Sequence, residues 1–158
     1  MPFTPFHLGA GAVFKAIGGT RFSFMVFGGT QVLMDIEPLV GMLRGADILH
    51  GYTHTIAGAA LIGGLAGAIG KSISTQALNG LGIAHLPITW RVAFVSAWLG
   101  SFSHLLLDGI MHADMRPLWP FAQDNPLLDR IGIEELHLLC LVLGVLGATG
   151  YALRRRHL

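Results

Sequence analysis

With 158 residues, the chain is long enough for one compact domain, taken here as 1–158. Hydrophobic residues make up 53% and charged residues only 12%, with mean hydropathy +0.62, which excludes an ordinary soluble domain with its roughly one-quarter charged residues. A net charge of +1 offers no basic surface, so no nucleic-acid partner is expected, and the single Cys140 excludes an internal disulfide.

Five apolar stretches follow one another, at 5–19, 22–43, 53–70, 91–110 and 135–153. A bilayer core needs about 20 apolar residues in a helix, with roughly 17–25 as the working range. Stretches two to five meet that length. The first is a tilted short span, a re-entrant helix or an interfacial one. The expected fold is therefore all-α, a polytopic transmembrane bundle of four or five spans. The opening "MPFTPFHLGAGAVFKAIGG" has no basic leader before its apolar run and reads as part of the mature protein. Segments rich in Pro, Asn and Asp, "KSISTQALNGLGIAHLPITW" and "MRPLWPFAQDNPLLDRIG", read as loops. Many of the 22 glycines lie inside the apolar stretches, where the pairs Gly63-x3-Gly67 and Gly64-x3-Ala68 have the spacing that lets membrane helices approach closely.

Lys and Arg set the expected orientation. Placing Arg154, Arg155 and Arg156 in the cytoplasm and alternating backwards through five spans puts Lys71, Arg91 and Arg21 inside, and Arg44, Arg116 and Arg130 outside. The C-terminus is then cytoplasmic. On this topology His7, Asp35, Glu37, His50, His54, His104, Asp108, His112, Glu134 and His137 fall at one depth, the outer one. His85 and His157 fall on the inner side as solvent residues, and Asp114, Asp124 and Asp129 read as loop charges. Trp90, Trp98 and Trp119 read as interface anchors or packing residues.

An ionisable group in a span is costly unless it is paired or lines a wet cavity, so each is a functional candidate. Histidines with carboxylates form the ligand set of zinc, manganese or ferrous iron. Residues four apart share one helix face about 6 Å apart along the axis. His104 with Asp108, and His50 with His54, have that spacing. Gly109 offers the fourth helix a place to end, which would turn His112 off the shared face. Pro38 offers a break near Asp35.

The motifs "FHLGAGAVF", "LMDIEP", "HGYTHT" and "SHLLLDGIMHADMRPLWPF" resemble the LexA-regulated, membrane-bound metal-dependent hydrolase family of bacterial inner membranes. By position the resemblance implies His7, Asp35, His54, His104 and Asp108 as metal ligands, with His50 and Glu37 nearby. Glu37 stands where that family has a second Asp. More remotely, the order of His and Asp residues is similar to the all-helical zinc phospholipase C and P1-type nuclease family. That likeness implies that Asp108 bridges two metals and that Asp35, His54 and His104 complete one of them. It also gives His7 to a second metal, and His112 with His137 or Glu134 to another.

The expected protein is a hydrolase in the bacterial inner membrane, with one to three zinc or manganese ions at its outer face. Its expected partners are membrane lipids, and its substrate a lipid or lipid-linked phosphoester. Glu37 or Glu134 is the candidate general base, and Arg116 the candidate phosphate ligand. A haem-binding electron carrier and a metal or proton transporter are the alternatives.

Overall fold

The hydroxyl residues that precede apolar stretches become helix caps. Ser23, Thr55 and Thr89 each accept the backbone N–H of the third residue onward, Val26, Gly58 and Val92, at 3.3, 2.9 and 3.2 Å. A computed structural model describes residues 5–156, within which the chain forms helices and turns and no strand. His157 lies outside the described residues. The helices are α1 (Leu8–Gly18), α2 (Phe24–Met34), α3 (Ile36–Arg44), α4 (Ile56–Gly80), α5 (Trp90–Met111) and α6 (Ile133–Arg156). Single 3-10 turns cover Pro5–His7, Gly19–Arg21 and Tyr52–His54.

The all-helical expectation holds, but the division into spans differs. Three helices, α4, α5 and α6, are long and apolar enough to cross a membrane. Their outward faces carry large apolar side chains such as Leu61, Leu138 and Leu146, all more than 60% exposed, as a lipid-facing surface requires. The stretch 22–43 is two helices, because the chain breaks at Asp35, which ends α2 and begins α3. Pro38 is the third residue of α3, where its missing N–H would have had no intrahelical partner. At eleven residues each, α1 and α2 rise about 16 Å, half of a bilayer core. The third stretch runs on to Gly80, so half of the expected loop 71–90 is helical.

The helices α1 and α2 form a short hairpin. Lys15 closes its turn by donating from Nζ to the carbonyls of Gly19 and Phe22, both at 2.9 Å. Helix α1 packs along α6, and α2 packs into the pair α4 and α5. Small residues make these contacts possible. A side chain at Gly9 would collide with the Cys140 carbonyl, and one at Gly147 with the backbone of Ala12 and Val13. Gly63 and Gly67 receive Trp98 and Phe94 in the same way, whereas a Cβ at Gly64 would meet nothing within 4 Å. Gly64 therefore does not serve the packing expected of it.

These contacts place both ends of the hairpin, His7 and Asp35, beside the last two turns of α5. The basic end of α6 lies at the opposite end, where Arg154 donates to the carbonyls of Ala16 and Ile17 at 3.0 and 2.8 Å. Overpacking a tight seam costs about 1–3 kcal/mol. Gly147→Leu is therefore expected to lower the unfolding temperature of the detergent-solubilised protein by several degrees. Gly64→Ala should leave it unchanged or raise it.

Candidate metal centre

Helix periodicity brings His104 and Asp108 to one face of α5 and sets His112 at its end beside them, while His7, Asp35, His50 and His54 are brought from outside that helix. His104 Nε2 lies 3.0 Å from Asp108 Oδ2 and 3.4 Å from Asp35 Oδ1. His54 Nε2 lies 3.5 Å from the same Asp108 Oδ2. The other oxygen, Asp108 Oδ1, faces His7 Nε2 at 3.3 Å and His112 Nε2 at 4.0 Å. His50 Nε2 completes the ring at 4.0 Å from Oδ2. Asp108 and His7 are each 3% exposed, and His54 and His104 are fully buried.

The donor atoms fall into two groups that share Asp108. Asp35, His54, His104 and Asp108 form one, and His50, Asp108 and His112 form the other, each with its donor atoms within 4.8 Å of one another. Both could hold a metal ion. Among the described residues, four buried nitrogens in the cluster have no hydrogen-bond partner: both of His7, and Nε2 of His54 and of His104. A buried polar atom left unsatisfied costs about 1–3 kcal/mol. Three of the four, the Nε2 atoms of His7, His54 and His104, converge on one carboxylate, and a bound cation would satisfy them; imidazole and carboxylate together are a donor set that divalent metals take.

An outer set of contacts aims the imidazoles. Gln31 Oε1 accepts from His104 Nδ1 at 2.6 Å, while its amide nitrogen donates to the Gly100 carbonyl at 3.2 Å. Thr53 Oγ1 lies 3.0 Å from His54 Nδ1 and itself donates to Glu37. Asp114 Oδ1 takes His50 Nδ1 at 2.9 Å, and Oδ2 takes the backbone N–H groups of Leu49 and His50 at 2.9 and 3.0 Å. In all three histidines Nδ1 is engaged outward, so that a neutral ring turns its Nε2 lone pair toward Asp108. Burial works against the Asp114 carboxylate, but the His50 backbone and ring N–H groups outweigh it and hold the carboxyl at about 2. Burial lowers the His50 value below the ordinary imidazole range despite Asp114, so this ring is neutral at pH 7 and able to act as a ligand.

Several expectations need correction. His50 and His54 do not share a helix face. His50 lies in the loop after α3 and His54 in a 3-10 turn, yet their rings still meet edge-on at 4.9 Å. Helix α5 continues through Gly109 to Met111, which brings His112 back beside Asp108 and stacks it on His50 at 4.0 Å. Asn125 secures that helix end by donating to the carbonyls of Gly109 and His112. His137 joins neither group: it stacks on Phe6, 4.5 Å between ring centres, and so steadies the turn that presents His7. Glu134 is exposed in the first turn of α6 and also joins neither. Glu37 is committed to the backbone N–H groups of Tyr52 and Thr53 at 3.0 and 2.9 Å, so it positions His54 through Thr53. Asp114 is a positioning group rather than a loop charge.

Gln31 and Thr53 also went unassigned in the sequence. A signal for Gln31 was present, an amide inside an apolar run and four residues before Asp35. Nothing in the pattern marked Asp114.

Beside the centre lies a cavity of about 320 Å³ lined by Glu37, His50, Tyr52, Asp114, Arg116 and Trp119 among others. Arg116 is exposed here and donates to Gln123 at 2.8 Å.

The fold and the cluster together define an all-helical membrane protein with a buried His/Asp group that could bind metal. The chain matches the YdjM inner membrane protein family over residues 7–157 and belongs to it. This agrees with the LexA-regulated inner-membrane family that the motifs resemble, and with three apolar helices it supports a location in the bacterial inner membrane. Neither the curated proteins nor the solved structures yielded a match.

Asp108→Ala is expected to abolish zinc retention measured by elemental analysis of the purified protein. Loss of an outer partner typically costs ten- to a hundred-fold in metal affinity, roughly the weakening expected for Gln31→Leu and Asp114→Asn in zinc titrations. His137→Ala and Glu134→Gln should retain the metal.

Proposed function

We propose that this protein is a membrane-bound metal-dependent hydrolase, acting on a phosphoester of a lipid or a lipid-linked phosphate. The observation that carries this reading is the placement of Asp108, which belongs to both groups of donors, with Oδ2 toward His54, His104 and His50 and Oδ1 toward His7 and His112. A carboxylate shared between two sets is suited to hold two divalent ions near one another, zinc first and manganese second. Such ions supply Lewis acidity toward the phosphoryl oxygens and activate the attacking water.

The chain's own residues supply the rest. Asp35, His54 and His104 would hold one ion with Asp108, and His50 and His112 the other, with His7 at the same side as His112. Gln31, Thr53 and Asp114 fix the ring orientations. Arg116, on the wall of the adjoining cavity, offers a planar fork of donors that suits a phosphate. Glu37 holds the turn that carries His54. We place the centre toward the outer face of the membrane, as the basic C-terminal end requires of a cytoplasmic terminus.

The two carboxylates weigh against haem, whose ligation by paired histidines has no use for Asp35 and Asp108. A proton or metal relay would use the same groups without Arg116.

The zinc- or manganese-loaded protein in detergent is expected to hydrolyse phosphatidic acid or a model phosphoester, with at least a hundred-fold loss in Asp108→Ala, about 2.7 kcal/mol. Arg116→Ala should raise KM more than it lowers kcat. A Soret band in the purified protein would replace this reading with haem binding. Metal-dependent transport into liposomes without hydrolysis would replace it with a carrier.

A further inference from the structure

A second and larger cavity, about 650 Å³, runs along the outside of α2. One wall is α2 itself, with Met25, Gly29 and Val32, and the other is α4, with Ile69 and Ile73. The groove reaches from Phe24 to Ile36, about 18 Å at the helical rise and so a little more than half of a bilayer core. At one end it meets Gln31 and Asp35, one of which aims His104 while the other belongs to the metal group.

Two details set this groove apart from an accident of packing. Gly28 and Gly29 stand in the middle of its α2 wall, where each costs a helix about 1 kcal/mol relative to Ala. Unlike Gly9 and Gly147, neither is demanded by a neighbouring helix. A Cβ at Gly29 would meet nothing within 4 Å, and one at Gly28 would meet only Leu8, at 3.7 Å. The space is kept although no part of the described chain fills it. In addition, the polar side chains along the wall other than buried Ser74 are engaged within the protein, Asp35 through His104 at 3.4 Å. Thr30 donates to the Val26 carbonyl at 2.8 Å, and Gln31 is held by Gly100 and His104. What the walls present to an occupant is hydrocarbon.

We propose that this groove holds one acyl chain of a membrane lipid whose phosphate end lies at the metal centre. This rests on the phosphoesterase reading and narrows its substrate to an amphiphile that straddles Asp35. Its chain lies between α2 and α4, and its head group reaches the cavity of His50 and Arg116 on the other side. Such a lipid would be hydrolysed without leaving its leaflet.

The test uses the full-length, zinc-loaded protein in nanodiscs containing phosphatidic acid with a photoactivatable diazirine in mid-chain. Labelled peptides are mapped by mass spectrometry. Label is expected on Met25, Val32, Ile69 and Ile73 at about ten times the level on the exposed α6 residues Leu138 and Val145, the ratio of a 1.4 kcal/mol preference. Gly29→Phe should reduce groove labelling to the α6 level. Gly64→Phe, which lies outside the groove, should not. A diacylglycerol carrying the same diazirine should label the groove less than phosphatidic acid does. Uniform labelling, or groove labelling that survives Gly29→Phe, would overturn the proposal. Labelling without hydrolysis removes the enzyme reading and leaves the chain site, whereas hydrolysis with uniform labelling removes the chain site alone.

Discussion

A carboxylate buried at the end of an apolar helix has to be neutralised, and the arrangement of the chain around Asp108 follows from that need. The interior cannot solvate the charge, and removing it from water costs several kcal/mol. Five histidines from four separate segments close on it within 4.0 Å. Three of them have Nδ1 engaged by Gln31, Thr53 or Asp114, so that a neutral ring turns a lone pair rather than a proton toward the carboxylate. Neutral rings do not neutralise an anion; a proton on one of them does, and so does a cation held between the lone pairs and the carboxylate. The break at Asp35, the 3-10 turns before α1 and α4, and the loop folded over the end of α5 all serve to deliver donors to this one point.

The helices were legible because apolar runs of membrane length leave few alternatives. Their ends were less so. The stretch 22–43 has the composition of one span, and its break at Asp35 is the one that Pro38 offered, since in a continuous helix the proline would leave the Met34 carbonyl without an N–H and press its ring against it. The run 71–80 reads as polar loop, yet it continues α4 because Lys71 can reach over the Trp90 ring, 4.4 Å away, and Ser74 is buried against neighbours. In the candidate centre, the i,i+4 pair of α5 was readable from spacing alone. The approach of His7, Asp35 and His54 was readable only from the depth argument and the family motifs. His50 and His54 converge for a reason that their spacing did not contain, because a turn and a loop replace the expected helix. Asp114 was invisible, since its role depends on the fold of a loop whose sequence carries no period.

The two sides of the centre differ in kind. Toward the loops lie Arg116, Asp114 and the ring of Trp119; toward the bilayer lie glycine, methionine and isoleucine. Helices α1 and α2 are too short to cross the membrane, and this brings their ends, with His7 and Asp35, to the same depth as the end of α5.

That hairpin also has a mechanical side. His7 and Asp35 stand at its two open ends, so a rigid displacement moves both together, one against each oxygen face of the Asp108 neighbourhood. Its closed end is held by Lys15 within the turn and by Arg154 from the last turns of α6. The C-terminal arginine thus acts as a tether at the far end of a lever. The hairpin that presents two donors at one end of the protein is thereby fastened to α6 at the other.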